Sequence, residues 1–155
     1  MTEPPAGRTS FGRPESVLVI IHTPELDCLL LERVRPAGFW QSVTGGLEWD
    51  EAPADAAARE VREETGLEPA DLRDAGITKR FPILPEWRSR FGPDVTENTE
   101  HLWYLLLPER QRVTLNPAEH RAFRWLPLDD AIDAASSWTN REGLERLARK
   151  EMTGV

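Results

Sequence analysis

Apolar and polar positions along this chain fall into runs that mark out strands and helices. Ser16 to His22 (Ser-Val-Leu-Val-Ile-Ile-His) is a β-branched apolar run between Pro14 and Pro24, the pattern of a strand buried on both faces. Cys28 to Arg33 predicts a second strand, joined to the first through the turn signal Thr23-Pro24-Glu25-Leu26-Asp27, and the two predict a hairpin on which a helix packs. A turn at Arg35-Pro36-Ala37-Gly38 precedes a short predicted strand, Phe39 to Thr44, which runs into Gly45. Ala75 to Ile83, Thr99 to Leu107 and Ala122 to Leu126 are the other predicted strands, with Glu68 to Asp74 a polar connector. Leu84 to Asn98 holds Pro85, Gly92, Pro93 and the basic-aromatic cluster Trp87-Arg88-Ser89-Arg90-Phe91; it predicts a long irregular or hairpin excursion, and loops of that length are usually functional or disordered.

Three stretches predict helices. Pro53 to Thr65 has strong helix formers, a proline suited to the first turn and Gly66 placed for a left-handed cap. Leu128 to Ser136 predicts a short helix after Pro127, and Asn140 to Glu151 a terminal amphipathic helix with Leu144 and Leu147 facing inward. A mixed sheet with the first helix on one side and the terminal helix on the other is a three-layer αβα sandwich, an α/β (α+β) fold.

The first helix carries the chemistry. At about 100° per residue, Ala54, Ala57, Ala58, Val61 and Thr65 form a narrow stripe of mostly small side chains that lets the helix sit close to a sheet. Glu60, Glu63 and Glu64 fall on the other side. Carboxylates three and four residues apart repel each other by a few tenths of a kcal/mol per pair, and a divalent metal ion facing them removes that penalty.

Composition narrows the classes. The chain has 155 residues, 39% hydrophobic and 30% charged, with a formal net charge of -8. Residues 1–13 read as a loosely held arm and 14–152 as a single domain. An acidic surface argues against a nucleic-acid or membrane binder, so a protein of this charge that handles polyphosphate relies on metal ions and a few local arginines. The single cysteine, Cys28, lies in an apolar run and reads as a small buried hydrophobe. No apolar stretch approaches the ~20 residues of a membrane span and no signal-peptide core opens the chain, which predicts a cytoplasmic protein. His22, His101 and His120 lack the spacing of a zinc or nucleophilic site.

The spacing Gly45-x5-Glu51-x7-Arg59-Glu60-Val61-x-Glu63-Glu64-x-Gly66-Leu67 resembles the Nudix box at every constrained position. The resemblance implies a hydrolase of the Nudix fold that cuts a diphosphate linkage with Mg2+, for which Mn2+ substitutes. Carried onto this chain, it implies Glu60 and Glu64 as metal ligands and Glu63 as a third ligand or the residue that handles water. It also implies Arg59 as a structural partner of a box carboxylate, with Glu51 the partner here. The general base is left open between the box and Glu119.

Segments outside the box resemble one subfamily, the bacterial dihydroneopterin triphosphate diphosphatases of folate biosynthesis: Phe39 to Gly45, Val95-Thr96, Asn98-Thr99-Glu100, Leu107 to Gln111, Glu119-His120, Ser137-Trp138 and Asn140-Arg141. This implies release of pyrophosphate from 7,8-dihydroneopterin triphosphate, Glu119 as a further metal ligand, and Arg33, Thr44, Phe81, Pro82, Ile83, Leu84 and Ser137 at the substrate, with Arg13 beside the N-terminal phosphate contact. Physically, Arg33 can pair with phosphate, Thr44 and Ser137 can donate hydrogen bonds, and Phe81 offers a flat face to a ring. The chain departs from the subfamily in lacking an acidic residue within Phe81-Pro82-Ile83-Leu84 and in having Gly12 where a basic residue is expected. The alternatives are a (d)NTP pyrophosphohydrolase acting on dATP, and a non-catalytic Nudix-fold module that binds a nucleotide. In either hydrolytic case the partner is a small-molecule pterin or nucleoside triphosphate, and the protein is expected to be a monomer or weak homodimer.

Overall fold

A computed structural model of the chain describes residues 11–149. Among the described residues there are seven strands and three α-helices: β1 Glu15–His22, β2 Asp27–Arg33, β3 Trp40–Gln41, β4 Val43–Gly46, α1 Pro53–Thr65, β5 Leu72–Pro82, β6 Glu97–Leu106, β7 His120–Pro127, α2 Leu128–Ala134 and α3 Trp138–Ala148. They form one mixed sheet in the order β3-β2-β1-β6-β5, with β4 added to β1 and β7 to β2. Only the β1–β6 pair is parallel among these pairings.

β1 runs through the centre, which is why it reads as unbroken apolar sequence. Val17, Val19 and Ile21 enter one core with Ala56, Ala57 and Val61 of α1. Leu18 and Ile20 enter a second core with Ala131 of α2 and with Leu144 and Leu147 of α3. The two cores on opposite faces give the expected αβα layering. Gly143 lets α3 come close to the sheet, since a Cβ there would lie 2.6 Å from the Ile20 side chain, and Tyr104 donates to the Gly143 carbonyl at 2.8 Å.

Several local expectations change. β5 begins at Leu72, inside the stretch expected to be a polar connector. The excursion after Ile83 contains a 3-10 helix, Pro85–Arg90, before β6 starts at Glu97. The strand expected over Phe39 to Thr44 divides at Ser42 into β3 and β4, which pair with different neighbours. The break is held by Asn140 of α3, whose Oδ1 accepts from the Ser42 amide at 2.7 Å and whose Nδ2 donates to Ser42 Oγ at 2.9 Å. α1 packs over β1 and β4, and Leu29 and Leu31 of β2 enter the same core. Residues 1–10 of the expected arm lie outside the described residues. Phe11, Gly12 and Arg13 are tied down: the Gly12 amide donates to the Arg90 carbonyl at 2.7 Å and Trp49 donates to the Phe11 carbonyl at 2.9 Å. Among the described residues no helix is long and apolar enough to cross a membrane.

Candidate active site

α1 is bounded as its sequence predicts, with Pro53 in its first turn and Gly66 at φ 71° capping its end. Its burial differs from the simple stripe. Ala54 is exposed and Ala56 takes its place in the core, so the buried face rotates to include Glu60 and Glu64 while Glu63 stays in solvent. The acidic triplet is therefore split. Two carboxylates are buried, at 8% and 2% exposure, and the third is turned outward to Arg59.

The loop before α1 is held by two arginines. Arg59 grips Glu51 with two hydrogen bonds of 2.7 and 2.8 Å, reaches the Gly46 carbonyl at 3.0 Å, and pairs with Glu60 at 2.9 Å and Glu63 at 3.3 Å. Glu51 also accepts from the Glu48 amide at 3.0 Å. From the other side, Arg13 donates to the carbonyls of Glu48, Trp49 and Glu51 and pairs with Glu15. Its guanidinium is thus engaged by the protein, although it also borders the cleft.

Glu60 and Glu64 open into a cleft of about 1230 Å³ that also gathers Glu119, Arg13, Arg33, Thr44, the Phe81 to Leu84 stretch and Ser137. Arg59 and Glu63 lie outside its lining. A smaller depression of about 510 Å³, around Pro24, Glu68 and Leu106, holds none of these residues.

Burial raises the pKa of both inner glutamates; Glu63 adds to the effect at Glu60, and Glu60 and Glu119 add to it at Glu64. Glu64 Oε1 has no hydrogen-bond partner, and the Thr44 backbone supplies one to the carboxylate. A buried carboxylate oxygen without a donor is costly. Beside it His120 Nε2 stands 3.9 Å from Glu64 Oε1 and 3.3 Å from Gln41 Nε2. Burial, with Arg33 next, lowers the His120 pKa to about 4, so the ring is neutral and does not neutralise Glu64.

This donor set fits a hard divalent cation, which takes oxygen ligands and accepts the negative charge that the site otherwise leaves uncompensated. Among the described residues no three acidic, histidine or cysteine side chains stand together as a finished metal cage. Glu119 is exposed on the turn before β7, within electrostatic reach of Glu64.

Cationic groups lie opposite. The half-buried Arg33 donates Nε to the Arg35 carbonyl at 2.7 Å, stacks over Trp87 at 5.3 Å and sits near Arg90. Thr44 spends its hydroxyl proton on the Val17 carbonyl, at 2.9 Å, and so offers a ligand only acceptor capacity from that group, contrary to the expected donation. Ser137 accepts from the Asn140 amide at 3.2 Å as the N-cap of α3, which leaves its proton available. Phe81 is half-buried and meets Trp138 edge-to-face at 6.4 Å, Ile83 is buried and Leu84 is exposed. Gln41, His120, Glu100, Asn98 and Trp138 also line the cleft without having been picked out as site residues. For Asn98 and Glu100 the available signal was a polar side chain on the inward face of a strand that continues into apolar residues; Trp138, at the start of α3, gave no signal of that kind.

The sheet topology, the tied loop and the two buried carboxylates on one helix suit a site that binds a divalent cation and a diphosphate group. A profile of the NUDIX domain matches residues 12–147, and the chain belongs to the Nudix family of hydrolases. It is 38% identical over 142 residues to the dihydroneopterin triphosphate diphosphatase of Escherichia coli (strain K12), covering 88% of this chain and 93% of that protein. It is 34% identical over 141 residues to the enzyme of the same name from Haemophilus influenzae, covering 88% of each. The solved structure of the E. coli dihydroneopterin triphosphate pyrophosphohydrolase superposes with a TM-score of 0.84 at 36% identity, over 90% of this chain and 98% of that one.

Proposed function

We propose that this chain hydrolyses 7,8-dihydroneopterin triphosphate to the monophosphate and pyrophosphate, with Mg2+ as the working ion and Mn2+ able to replace it. The observation that carries the reading is the reach of the similarity: relatives bearing that activity in their names match over 88% of the chain.

Glu60 and Glu64 hold the ion in this reading, with Glu119 completing the oxygen set and Glu63 at its outer side. The bound ion offsets phosphate charge and lowers the pKa of water. The chain's own residues do the rest. Arg59 and Arg13 fix the loop that sets the position of Gly45 and α1, and Arg33 with Arg90 attracts the triphosphate. Phe81, Pro82, Ile83, Leu84 and Trp138 wall the ring end, and Ser137 donates from the start of α3. Water adds at phosphorus, one bridging P–O bond breaks, and pyrophosphate leaves. Phosphoryl transfer depends mainly on positioning and electrostatics, so an acidic protein performs it once the local charge is balanced.

The test is pyrophosphate release with Mg2+ from 7,8-dihydroneopterin triphosphate and from dATP, using wild type, Glu64→Gln and a no-enzyme blank. Preference for the pterin, lost in the variant, supports the reading. Preference for dATP moves the protein to nucleotide housecleaning, and metal-independent binding without turnover of either compound makes it a binding module.

A further inference from the structure

One acidic side chain in the cleft is used neither by the loop nor by the candidate metal site. Glu100, on β6, is 9% exposed and lines the wall on the α3 side. β6 places Asn98 and Glu100 on the face that continues into the buried Leu102 and Tyr104, away from α1. Glu100 pairs in register with Ser16 of β1 and Lys79 of β5, and Phe81 lies two residues along β5. The Thr139 side chain of α3 is hydrogen-bonded to it. Lys79 itself is committed to an ion pair with Glu142 and lies over the Trp138 ring at 5.7 Å. Phe81 and Trp138, edge-to-face, stand beside this carboxylate as apolar walls of the same cleft.

A buried acid is costly unless donors reach it. Burial raises its pKa to about 7, against the lowering by Thr139, Lys79 and His101. Flat ring systems pack against aromatic walls, and a carboxylate accepts two neighbouring N–H groups from a ring edge in a bidentate contact.

We propose that Glu100 is a specificity-determining residue whose carboxylate reads the donor edge of a 2-amino-4-oxo ring, accepting from the ring N–H and the adjacent exocyclic amino group. Pterin and guanine share that edge. Adenine presents a bare C–H and a ring-nitrogen acceptor there, so it leaves the carboxylate unsatisfied and is rejected. The proposal rests on the ring end of the substrate lying against the wall made by Phe81 and Trp138, as in the reading above. It gives the chain an acid at the ring on β6 although the Phe81 to Leu84 stretch has none.

The experiment compares kcat/KM for 7,8-dihydroneopterin triphosphate, dGTP and dATP in wild type, Glu100→Gln and Glu100→Ala, with thermal melts to show that each variant is folded. The expected result is a fall of about tenfold to a hundredfold, the scale of one bidentate edge contact, in the ratios of pterin to dATP and of dGTP to dATP. In parallel, binding of phosphate-free 7,8-dihydroneopterin, followed by its fluorescence, weakens in both variants. Unchanged ratios, or equal binding by folded variants and wild type, overturn the proposal. If wild type acts on nucleotides and not on the pterin, the substrate reading fails by itself, and the dGTP to dATP ratio still decides the role of Glu100.

Discussion

A Cβ placed on Gly45 would lie 1.2 Å from Glu60 Oε2. The glycine at the end of β4 and the first buried glutamate of α1 therefore occupy one shared volume, and the strand approaches the helix only because that side chain is missing. Gly45→Ala is expected to push the Glu60 carboxylate out of place. Displacements of that size at a reacting centre cost about a hundredfold, so pyrophosphate release should fall at least that far while circular dichroism shows an intact fold. Turnover near wild type would mean that Glu60 is not needed in its observed position.

Glu64→Gln separates catalysis from stability. The substitution removes a buried carboxylate whose Oε1 lacks a donor, so melting without metal should be unchanged or raised. Activity should fall by about two orders of magnitude or more, as when an electrostatic group at a reacting centre is lost. Titrating Mg2+ should raise the melting temperature of wild type through ligand linkage and leave that of the variant almost still. A full thermal shift in the variant would remove Glu64 from the metal set.

Arg59→Lys tests the loop strut. Lysine keeps the charge but cannot make the two-pronged contact with Glu51 while also reaching the Gly46 carbonyl. A loss of about 1.5–3 kcal/mol, the scale of a hydrogen bond to a charged group, should appear in urea unfolding, with kcat reduced more than KM is raised. An unperturbed unfolding midpoint would show that the loop is held by Arg13 alone.

Glu100 gives a pH dependence with a definite sign. Its folded pKa, about 7, stands above the ordinary 4.5 because burial penalises the anion. The folded state therefore holds a proton that the unfolded chain releases over this interval. Stability associated with this group is complete below about pH 4.5 and declines as pH rises through about 7. Glu100→Gln cannot ionise, so its melting temperature relative to wild type should climb between pH 5 and pH 8. A constant difference would show that Lys79, His101 and Thr139 already satisfy the carboxylate.

The parts legible in the sequence are those decided locally. The bounds of α1 followed from Pro53, a run of helix formers and Gly66, and the central position of β1 from its apolar content on both faces. Leu72 to Asp74 read as connector because three mixed residues carry no strand signal of their own; pairing with Tyr104 and its neighbours on β6 makes them strand. The basic-aromatic cluster read as irregular because Pro85 and Gly92 punctuate it, yet Pro85–Arg90 winds into a 3-10 helix. Arg13 was associated with substrate from resemblance; it borders the cleft, and three loop carbonyls also engage it.

By itself the sequence determined the helix, its three glutamates, the arginine and glycine spaced around them, and the strands that flank them, since propensity, capping and periodicity act over a few residues. Only the tertiary structure decided which glutamates are buried. The helix turns until Glu60 fills the space left by Gly45 and Glu64 faces His120, and Glu63 remains outside. It also brought Glu100, Phe81 and Trp138 from β6, β5 and α3 to one wall of the cleft. Periodicity assigns each side chain a face of its own element, but what covers that face depends on residues far away in the chain. Desolvation there decides whether a carboxylate is a solvated charge or a group in need of a ligand.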